Sequence, residues 1–412
     1  MKAQTQENPT HLQTISGQNI VCFAKDWNED PTSCNHVLRE LSKTNKVLWI
    51  NSISTRSPNL ASKRDIGKIF RKLGSFFKGA KQASERMWVY TPLVLPLHHK
   101  AWAVVFNRIW LRLTLAVLTR KLGMRGFQLW TFVPTSADYV GHLGEELSVY
   151  YVTDNWKAFS SVDGTQIGDM VDRLSSKADV VFATSHSLVE SLLPNNPETH
   201  LAAHGVEFEK FAQALNPNTP LPADLAKLPG TVIGYYGLIE DWMDQDLITH
   251  LAERHPEWSI VLVGAVRTDA SKLEKLPNVH LLGRKPHSEL PAYCKGFAVG
   301  LIPHKVNDLT RNMNPIKLRE YVCAGLPVVS TALPEVARYP EQCHVAQNYA
   351  EFEQAIINAL AQDSPEARKQ RSETMRSETW EYKVACLAGI VARVQANKTS
   401  RLLPVASETH AS

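Results

Sequence analysis

A segment towards the carboxy-terminal end reads Asn312-Met-Asn-Pro-Ile-Lys-Leu-Arg-Glu-Tyr-Val-Cys-Ala-Gly-Leu-Pro-Val-Val-Ser-Thr331 and is the most informative about the fold. Asn314 is suited to cap a helix and Pro315 to open it, while Gly325 and Pro327 mark the end of that helix. The valine-rich residues that follow predict a short buried strand. A helix that runs directly into such a strand is typical of α/β proteins.

Outward from this stretch, the chain alternates predicted strands and helices in two runs. The predicted strands are short apolar segments, at 19–24, 46–51, 128–133, 147–153 and 178–183 in the first run and at 232–236, 259–263, 279–282, 298–302 and 328–330 in the second. Four prolines within 215–230 predict a linker between domains 1–214 and 231–372. We therefore predict an α/β protein with two doubly wound, Rossmann-like domains whose strand ends face a central cleft.

Composition narrows the class of protein further. The 412 residues exceed what one hydrophobic core usually supports. Six cysteines lack the paired spacing of a zinc site or a small disulfide framework, which favours a reducing cytoplasm. We expect no export signal, because the first residues are polar, and no membrane-spanning segment. The adjacent pair His98 and His99 lacks a second pair of ligands nearby, so no metal site is predicted.

Positive charge is concentrated in an insert at 56–125. This insert contains fifteen basic residues and two acidic residues, although the formal net charge of the whole chain is only +4. One apolar stripe at helical spacing includes Phe70, Phe76 and Phe77, beside Arg71 and Lys72, and a second stripe runs from Trp102 to Val117. Basic amphipathic helices bind anionic membrane surfaces, and the alternative is that both stripes pack on the domain core. Nucleic acid is not predicted as a partner, because no reader motif is present.

The helix predicted in the opening stretch is suited to bind an anion. Its first turn presents backbone N–H groups and the positive end of the helix dipole, and Lys317 lies in the same turn. Glu320 follows three residues later on the same face. This order suits a nucleoside diphosphate, with Lys317 towards the phosphates and Glu320 accepting hydrogen bonds from ribose hydroxyl groups. The alternative is an ordinary Lys–Glu pair on the surface of a helix.

Several motifs in the same half resemble GT-B fold glycosyltransferases, in particular family 4-like enzymes (glycosyl transferases group 1) that build bacterial surface polysaccharides. The run Lys317–Thr331 resembles their donor-binding helix, Gly234-Tyr-Tyr-Gly237 resembles the first glycine-bearing loop, and Val261-Leu-Val-Gly264 with Val279-His-Leu-Leu-Gly-Arg284 resembles the turns beside sugar and base. The resemblance implies a nucleotide-sugar site that includes Gly237, Gly264, Gly283, Arg284, Asn314, Pro315, Lys317, Leu318 and Glu320.

The resemblance extends more weakly into the other half. Ala203-His-Gly-Val-Glu-Phe-Glu-Lys-Phe211 resembles the signature that closes the acceptor domain, and Thr379-Trp-Glu-Tyr382 resembles the start of a helix, within 373–412, that crosses back onto it. Asp26-Trp27, Tyr90-Thr-Pro…Leu-Pro96 and Tyr150-Tyr-Val-Thr-Asp-Asn-Trp156 are similar to teichuronic-acid and xanthan-type bacterial polysaccharide glycosyltransferases.

Two positions depart from the family pattern. Asn312 stands where the family usually has a glutamate, and Leu238-Ile-Glu-Asp-Trp-Met243 lacks the Arg and Lys that usually follow the first glycine-bearing loop. Lys317 is therefore the predicted main phosphate contact, with Arg284, Arg311 or Arg319 as helpers. The retaining mechanism of the family is not carried over to this chain.

An inverting transfer needs a base to take the proton from the acceptor hydroxyl. Asp154, which follows the predicted strand 147–153, is the first candidate, and Asp26 is the second; the alternatives are a helix N-cap and an Asx turn.

We predict a transferase without metal or other cofactor, which moves a sugar from a nucleotide sugar, most simply UDP-linked, to a lipid-linked saccharide. It would work in the cytoplasm, peripherally at the inner face of the cell membrane. The alternatives are a nucleotide-sugar epimerase of the same fold and a non-catalytic scaffold on the membrane.

Overall fold

The computed structural model describes residues 15–53, 74, 76, 78–95, 97, 100–159 and 163–402. The chain divides into two compact units, the first made of Met1–Ala183, Val189–Ala202 and Val384–Ser412 and the second of Thr184–Leu188 and Ala203–Lys383. The boundary therefore lies earlier than the proline-rich segment 215–230. That segment belongs to the second unit, because Leu225 within it is buried in the core of that unit.

The first unit is built on an eight-stranded sheet. Its strands are β1 (Asn19–Phe23), β2 (Lys46–Ile50), β3 (Lys81–Ser84), β4 (Met87–Tyr90), β5 (Gln128–Thr131), β6 (Leu147–Val152), β7 (Val180–Ala183) and β8 (Thr199–Leu201). Helices of this part of the chain are α1 (Ser33–Ser42), α2 (Ala101–Lys121), α3 (Gly164–Lys177) and α4 (His186–Leu192). The strand order is β3-β4-β2-β1-β5-β6-β7-β8, and every pair is parallel except the β3–β4 hairpin.

The second unit is built on a six-stranded sheet. Its strands are β9 (Thr231–Tyr236), β10 (Trp258–Val263), β11 (Val279–Gly283), β12 (Val299–Ile302), β13 (Val328–Thr331) and β14 (Cys343–Ala346). Its helices are α5 (Phe208–Phe211), α6 (Ala223–Ala226), α7 (Gln245–Arg254), α8 (Ser271–Glu274), α9 (Leu290–Gly296), α10 (Asp308–Arg311), α11 (Ile316–Cys323), α12 (Tyr349–Gln362) and α13 (Pro365–Glu373), and α14 (Trp380–Leu402) begins in it. The strand order is β11-β10-β9-β12-β13-β14, all parallel.

Both faces of the second sheet are covered by hydrophobic cores. Ile233 and Tyr235 of β9 point into one core, whereas Tyr236 of the same strand points into the other. Burial on both faces explains why these strands read as nearly continuous apolar runs. All ten predicted strands are present, with ends that move by at most two residues, so the prediction of an α/β fold with two Rossmann-like sheets is confirmed.

Candidate active site

Strand order places a binding crevice in the second unit. The chain winds outward from β9 through β10 and β11 on one side and through β12, β13 and β14 on the other. The connections after β9 and β12 therefore leave the sheet in opposite directions and open a crevice at the carboxyl ends of these strands. Gly237 immediately follows β9, and His304 follows β12.

Three predicted glycines lie side by side at this edge. The N–H of Gly237 donates to the Val263 carbonyl at 2.8 Å, and the N–H of Gly264 donates to the Gly283 carbonyl at 2.9 Å. A Cβ at Gly264 would lie only 1.7 Å from the Gly237 oxygen, so two backbones meet where a side chain would keep them apart. Gly237 itself has a φ of 142°, which L side chains rarely adopt.

Gly237, Gly264 and Gly283 together form a glycine edge of the sheet, and Lys317 lies on top of it. A Cβ at Gly237 would lie 2.3 Å from Cε of Lys317 and 2.8 Å from its Nζ. The ammonium lies 5.6 Å from the centre of the Tyr235 ring. The structure thus brings the first glycine-bearing loop and the lysine of α11 together, although eighty residues of sequence separate them. A cation lies at the switch point of the sheet beside the first turn of a helix, where an anionic group would find both the charge and the helix dipole.

The start of α11 differs from the sequence prediction. Pro315 is the N-cap residue and Ile316 the first helical residue, so Asn314 does not cap the helix. The Asn314 side chain is instead buried: its Nδ2 donates to the Thr184 carbonyl at 2.7 Å, and its Oδ1 accepts from Arg319 at 2.9 Å. The predicted helix end is correct, because α11 stops at Cys323 and Gly325 follows with a φ of 82°.

Arg319 has a structural role. Its side chain is fully buried and donates to Asn314, to Glu378 and to the Tyr339 hydroxyl. The hypothesis that Arg319 helps to bind phosphate is therefore wrong, because its guanidinium is turned into the protein. Leu318 is likewise buried in the hydrophobic core, so its side chain anchors α11 and does not face a ligand. Arg284 and Arg311 are exposed.

Glu320 is buried at the centre of a polar network. Its Oε2 accepts from the Tyr236 hydroxyl at 2.6 Å, and its Oε1 lies 3.6 Å from Nε2 of His287. Nδ1 of His287 is in turn 3.2 Å from Nζ of Lys210, which pairs with Glu207 at 2.7 Å. Burial and the neighbouring Glu320 carboxylate raise the pKa of Tyr236 well above its usual range, so its hydroxyl remains a donor.

His304 is a second buried group near Lys317. Its ring lies edge-on to Tyr235, with ring centres 6.3 Å apart. Neither ring nitrogen has a hydrogen-bond partner among the residues that the structure describes. Burial and the positive charge of Lys317 lower the pKa of His304 to about 3, so the ring is neutral at physiological pH.

Comparison with known proteins agrees with this geometry. Residues 233–362 match the family described as Glycosyl transferases group 1. The second unit carries a group 1 glycosyltransferase domain.

Similarity to individual proteins reaches beyond that domain. The chain is 30% identical over 221 residues to TuaH of Bacillus subtilis (strain 168), named for a glycosyltransferase role in teichuronic acid biosynthesis. The match covers 50% of this chain and 55% of that protein, so the chain spans about half the length of this relative.

Solved structures are similar over nearly the whole chain. A sucrose-phosphate synthase of Thermosynechococcus elongatus is 15% identical, with a TM-score of 0.66 over 92% of this chain and 100% of that one. Anabaena HepE, determined in complex with UDP and glucose, is also 15% identical, with a TM-score of 0.54 over 94% of this chain and 99% of that one. These likenesses confirm the GT-B fold.

The first unit holds both predicted bases. Asp154 is half-buried and follows β6, as predicted. Asp26 follows β1, and its Oδ1 accepts from the Ser52 backbone N–H at 3.0 Å and from the Ser52 hydroxyl at 2.7 Å. Both carboxylates therefore lie at the carboxyl-end edge of the first sheet. Asp26 is already occupied in joining the loops after β1 and β2.

The residues predicted to meet a membrane are mostly outside the described part of the chain. Phe70, Arg71, Lys72 and Phe77 fall there, whereas Phe76 is described. Phe76 is half-buried, with its ring centre 6.2 Å from both Tyr90 and Trp110. The structure thus gives Phe76 a packing contact, as expected from the alternative that this stripe packs on the domain core.

The sequence-based interpretation missed the groups that surround Glu320 and Lys317. Tyr236, His287 and His304 each come from a different loop or strand end, and no local spacing connects them. One available signal was position: Tyr236 ends β9 and His304 closely follows β12, the two strands at which the sheet order reverses.

Proposed function

We propose that this protein is a glycosyltransferase that takes a sugar from a UDP-linked donor and transfers it to a saccharide carried on a lipid. The observation that carries the proposal is the position of Lys317, packed on Gly237 at the switch point of the group 1 domain, with Glu320 one turn deeper in α11. The alternative interpretation, a surface Lys–Glu pair, does not fit a Glu320 that is buried and bonded to Tyr236.

In this proposal the donor diphosphate lies over the glycine edge. The Lys317 ammonium and the first turn of α11 stabilise the charge of the leaving nucleotide. Glu320 accepts hydrogen bonds from ribose hydroxyl groups, while Tyr236 and His287 hold its carboxylate. The UDP found with the structurally similar HepE supports a uridine nucleotide as the donor.

Asp154 is our candidate for the base that accepts the proton of the acceptor hydroxyl. It is preferred over Asp26 because the Asp26 carboxylate accepts two hydrogen bonds from Ser52, which fix it between two loops. Asp26 therefore positions the loop after β2.

A lipid-linked acceptor is proposed from two observations. The relative TuaH is named for teichuronic acid biosynthesis, and positive charge is concentrated in 56–125 of this chain. A basic segment favours an anionic membrane surface, which supports a peripheral position at the cytoplasmic face of the cell membrane.

Metal-independent transfer is part of the proposal, because Lys317 and the α11 dipole supply the positive charge that a divalent cation would otherwise provide. Transfer measured with excess EDTA should equal transfer without it. A loss of activity that added Mg²⁺ or Mn²⁺ restores would show that a metal is needed.

The decisive experiment measures UDP binding and sugar transfer separately. Lys317→Ala should raise the Kd for UDP at least tenfold, on the order of 1.4 kcal/mol, because a charge-assisted contact is lost. Lys272→Ala is the matched control, since this exposed lysine pairs with Asp246 on the surface. Equal UDP affinity in both variants, by calorimetry, would exclude the site.

Asp154→Asn separates the transferase from its alternatives. The variant should bind UDP normally and lose transfer by about 10²- to 10⁴-fold, the usual contribution of a general base. Mass spectrometry of the product with a lipid-linked acceptor measures this. An altered sugar released without acceptor would indicate an epimerase, and donor binding without any turnover in the unmodified protein would indicate a scaffold.

A further inference from the structure

Helix α2 exposes an apolar face along its whole length. Trp102 is 61% exposed and Leu113 is 60% exposed, values unusual for such large side chains in a folded protein. The exposed apolar set on this face is Trp102, Val105, Phe106, Ile109, Leu113 and Val117. These residues recur every three or four positions, so they form one continuous stripe.

The opposite face of α2 fixes the helix to the first unit. Ala103, Leu111 and Leu115 are buried. Asn107 exchanges two hydrogen bonds of 2.8 Å with the backbone N–H and carbonyl of Leu95. Arg108 adds a hydrogen bond to the Asp138 carbonyl at 2.5 Å.

The helix is also suited by length and composition to cross a membrane, yet its place in the fold argues against that. It connects β4 and β5 of one sheet, and crossing a bilayer would break the Asn107 and Arg108 contacts and expose the sheet beneath. Only 22% of its most apolar window is buried, so it is not an ordinary core helix either. A helix fixed on one face and apolar on the other fits the plane of a membrane interface.

The charge on α2 indicates which partner its exposed face would bind. The sequence of α2 contains no acidic residue, and Arg112, Arg120 and Lys121 are exposed on it. A second copy of the chain would bring the same positive charges against each other across an isologous interface, which is repulsive. Anionic lipid accepts both the apolar stripe and the basic side chains.

We propose that α2 is the membrane-docking element of this protein, lying in the plane of an anionic bilayer with Trp102, Ile109 and Leu113 inserted below the headgroups. Arg112, Arg120 and Lys121 then lie at the depth of the phosphates, each contributing roughly fivefold in affinity. The inference rests on the proposed function for the identity of the acceptor, because a lipid-linked saccharide would meet the first unit at this surface.

Vesicle binding tests the docking element directly. The full-length protein is mixed with phosphatidylcholine vesicles that contain phosphatidylglycerol, and the bound fraction is measured by flotation. The double variant Ile109→Glu, Leu113→Glu should lower the partition coefficient at least tenfold, because two carboxylates must enter the interface. Ile357→Glu is the matched control, since Ile357 is exposed on α12 in the second unit and should bind as the unmodified protein does.

Four other measurements complete the test. The circular dichroism spectrum and the Kd for UDP of the double variant should be unchanged, which separates docking from folding and from the proposed function. Unchanged vesicle binding would overturn the proposal. So would resistance to alkaline extraction, which indicates a spanning helix. An unmodified protein that is dimeric by light scattering, and monomeric in the double variant, would assign the stripe to a second copy.

Discussion

At the scale of single residues, the candidate donor site divides its charges between an accessible cation and a buried anion. Lys317 is half-buried over the glycine edge, whereas Glu320 is buried and keeps two polar neighbours, Tyr236 and His287. A buried carboxylate is costly unless it is hydrogen-bonded, so these neighbours decide whether Glu320 is oriented for a ligand. The half-buried lysine carries a smaller desolvation cost, and its ammonium lies where a phosphate would bind.

His287 is predicted to position Glu320. Nδ1 of His287 lies 3.2 Å from the Lys210 ammonium, and its Nε2 lies 3.6 Å from Oε1 of Glu320, so the ring bridges these two side chains. His287→Ala should therefore raise the donor KM about tenfold and leave kcat within about twofold, because the lost contact acts on binding. Steady-state kinetics measure both constants.

The exposed His344 gives the control for this prediction, as His344→Ala should change neither constant. A fall in kcat at constant KM would mean that His287 takes part in the chemical step and not in positioning.

His304 predicts a pH dependence of stability. The pKa of His304 is lowered to about 3 in the folded protein, whereas an unfolded histidine titrates near 6.5. Between these values the unfolded chain binds more protons, so stability falls as pH drops from about 6.5 towards 3. For this residue alone the loss between pH 7 and pH 5 is about 2 kcal/mol.

Replacing the ring removes that dependence. In His304→Phe, the difference in unfolding free energy between pH 7 and pH 5 should shrink by about 2 kcal/mol relative to the unmodified protein. Chemical denaturation at the two pH values gives this difference within each variant, so packing effects of the larger ring cancel. Identical differences in both proteins would show that His304 is not held neutral.

At the scale of elements, the glycine edge depends on close contact between two strand ends. Gly264 follows β10 and approaches Gly237 after β9 so closely that no side chain fits between them. The contact keeps the loop after β9 against β10, and it thereby sets the surface on which Lys317 lies. The position of the Lys317 ammonium therefore depends on the position of the loop after β9.

Gly264→Ala tests this coupling. The added methyl must push the two backbones apart, at a cost of roughly 1–3 kcal/mol in stability, and the displaced loop should weaken UDP binding at least tenfold. Thermal unfolding and calorimetry measure the two effects. In the control Gly168→Ala, within α3, the methyl meets the flexible side chain of Lys157, so UDP binding should be unchanged and stability should rise by at most about 1 kcal/mol.

Strands were predictable from the sequence where each strand is itself a run of apolar residues. The ten predicted strands are mainly apolar runs, and nine of them lie in the interior of a sheet, with β11 at an edge. Three of the four strands missed in the described part of the chain, β3, β8 and β14, are edge strands, and the fourth is β4. The missed β3 is an exposed edge strand with Lys81 and Gln82, and the missed β14 alternates Cys343 with the exposed His344. Both β3 and β14 therefore lack the continuous apolar run that marks a buried parallel strand. Asn314 was assigned as a cap because the sequence shows local partners only, whereas Arg319 and the Thr184 carbonyl bind its amide.

At the scale of the whole molecule, the chain contains two units with separate cores, and helix α14 changes from one to the other. Val391 of α14 is fully buried in the first unit, where Arg393 pairs with Glu198 and Lys398 pairs with Asp179. The Arg393 guanidinium and His200 lower the pKa of Glu198 to about 2. The carboxy-terminal part of α14 therefore belongs to the first unit, although its sequence follows the second.

Separate cores predict separate responses to ligand and mutation. A ligand stabilises only the structure that binds it, so UDP at 100 times its Kd should raise the unfolding free energy of the second unit by about 2.7 kcal/mol and leave that of the first unit unchanged.

Two core substitutions assign the transitions. Ile356→Ala, in the core of the second unit, should lower the unfolding free energy of that unit by about 2–5 kcal/mol. Val391→Ala should lower the other transition, because it removes buried methyl groups from the first unit. Calorimetry of the full-length protein with and without UDP resolves the two transitions. If UDP shifted the transition that Val391→Ala lowers, the nucleotide site would have to include the first unit, and the assignment of donor binding to Lys317 and its neighbours alone would be incomplete.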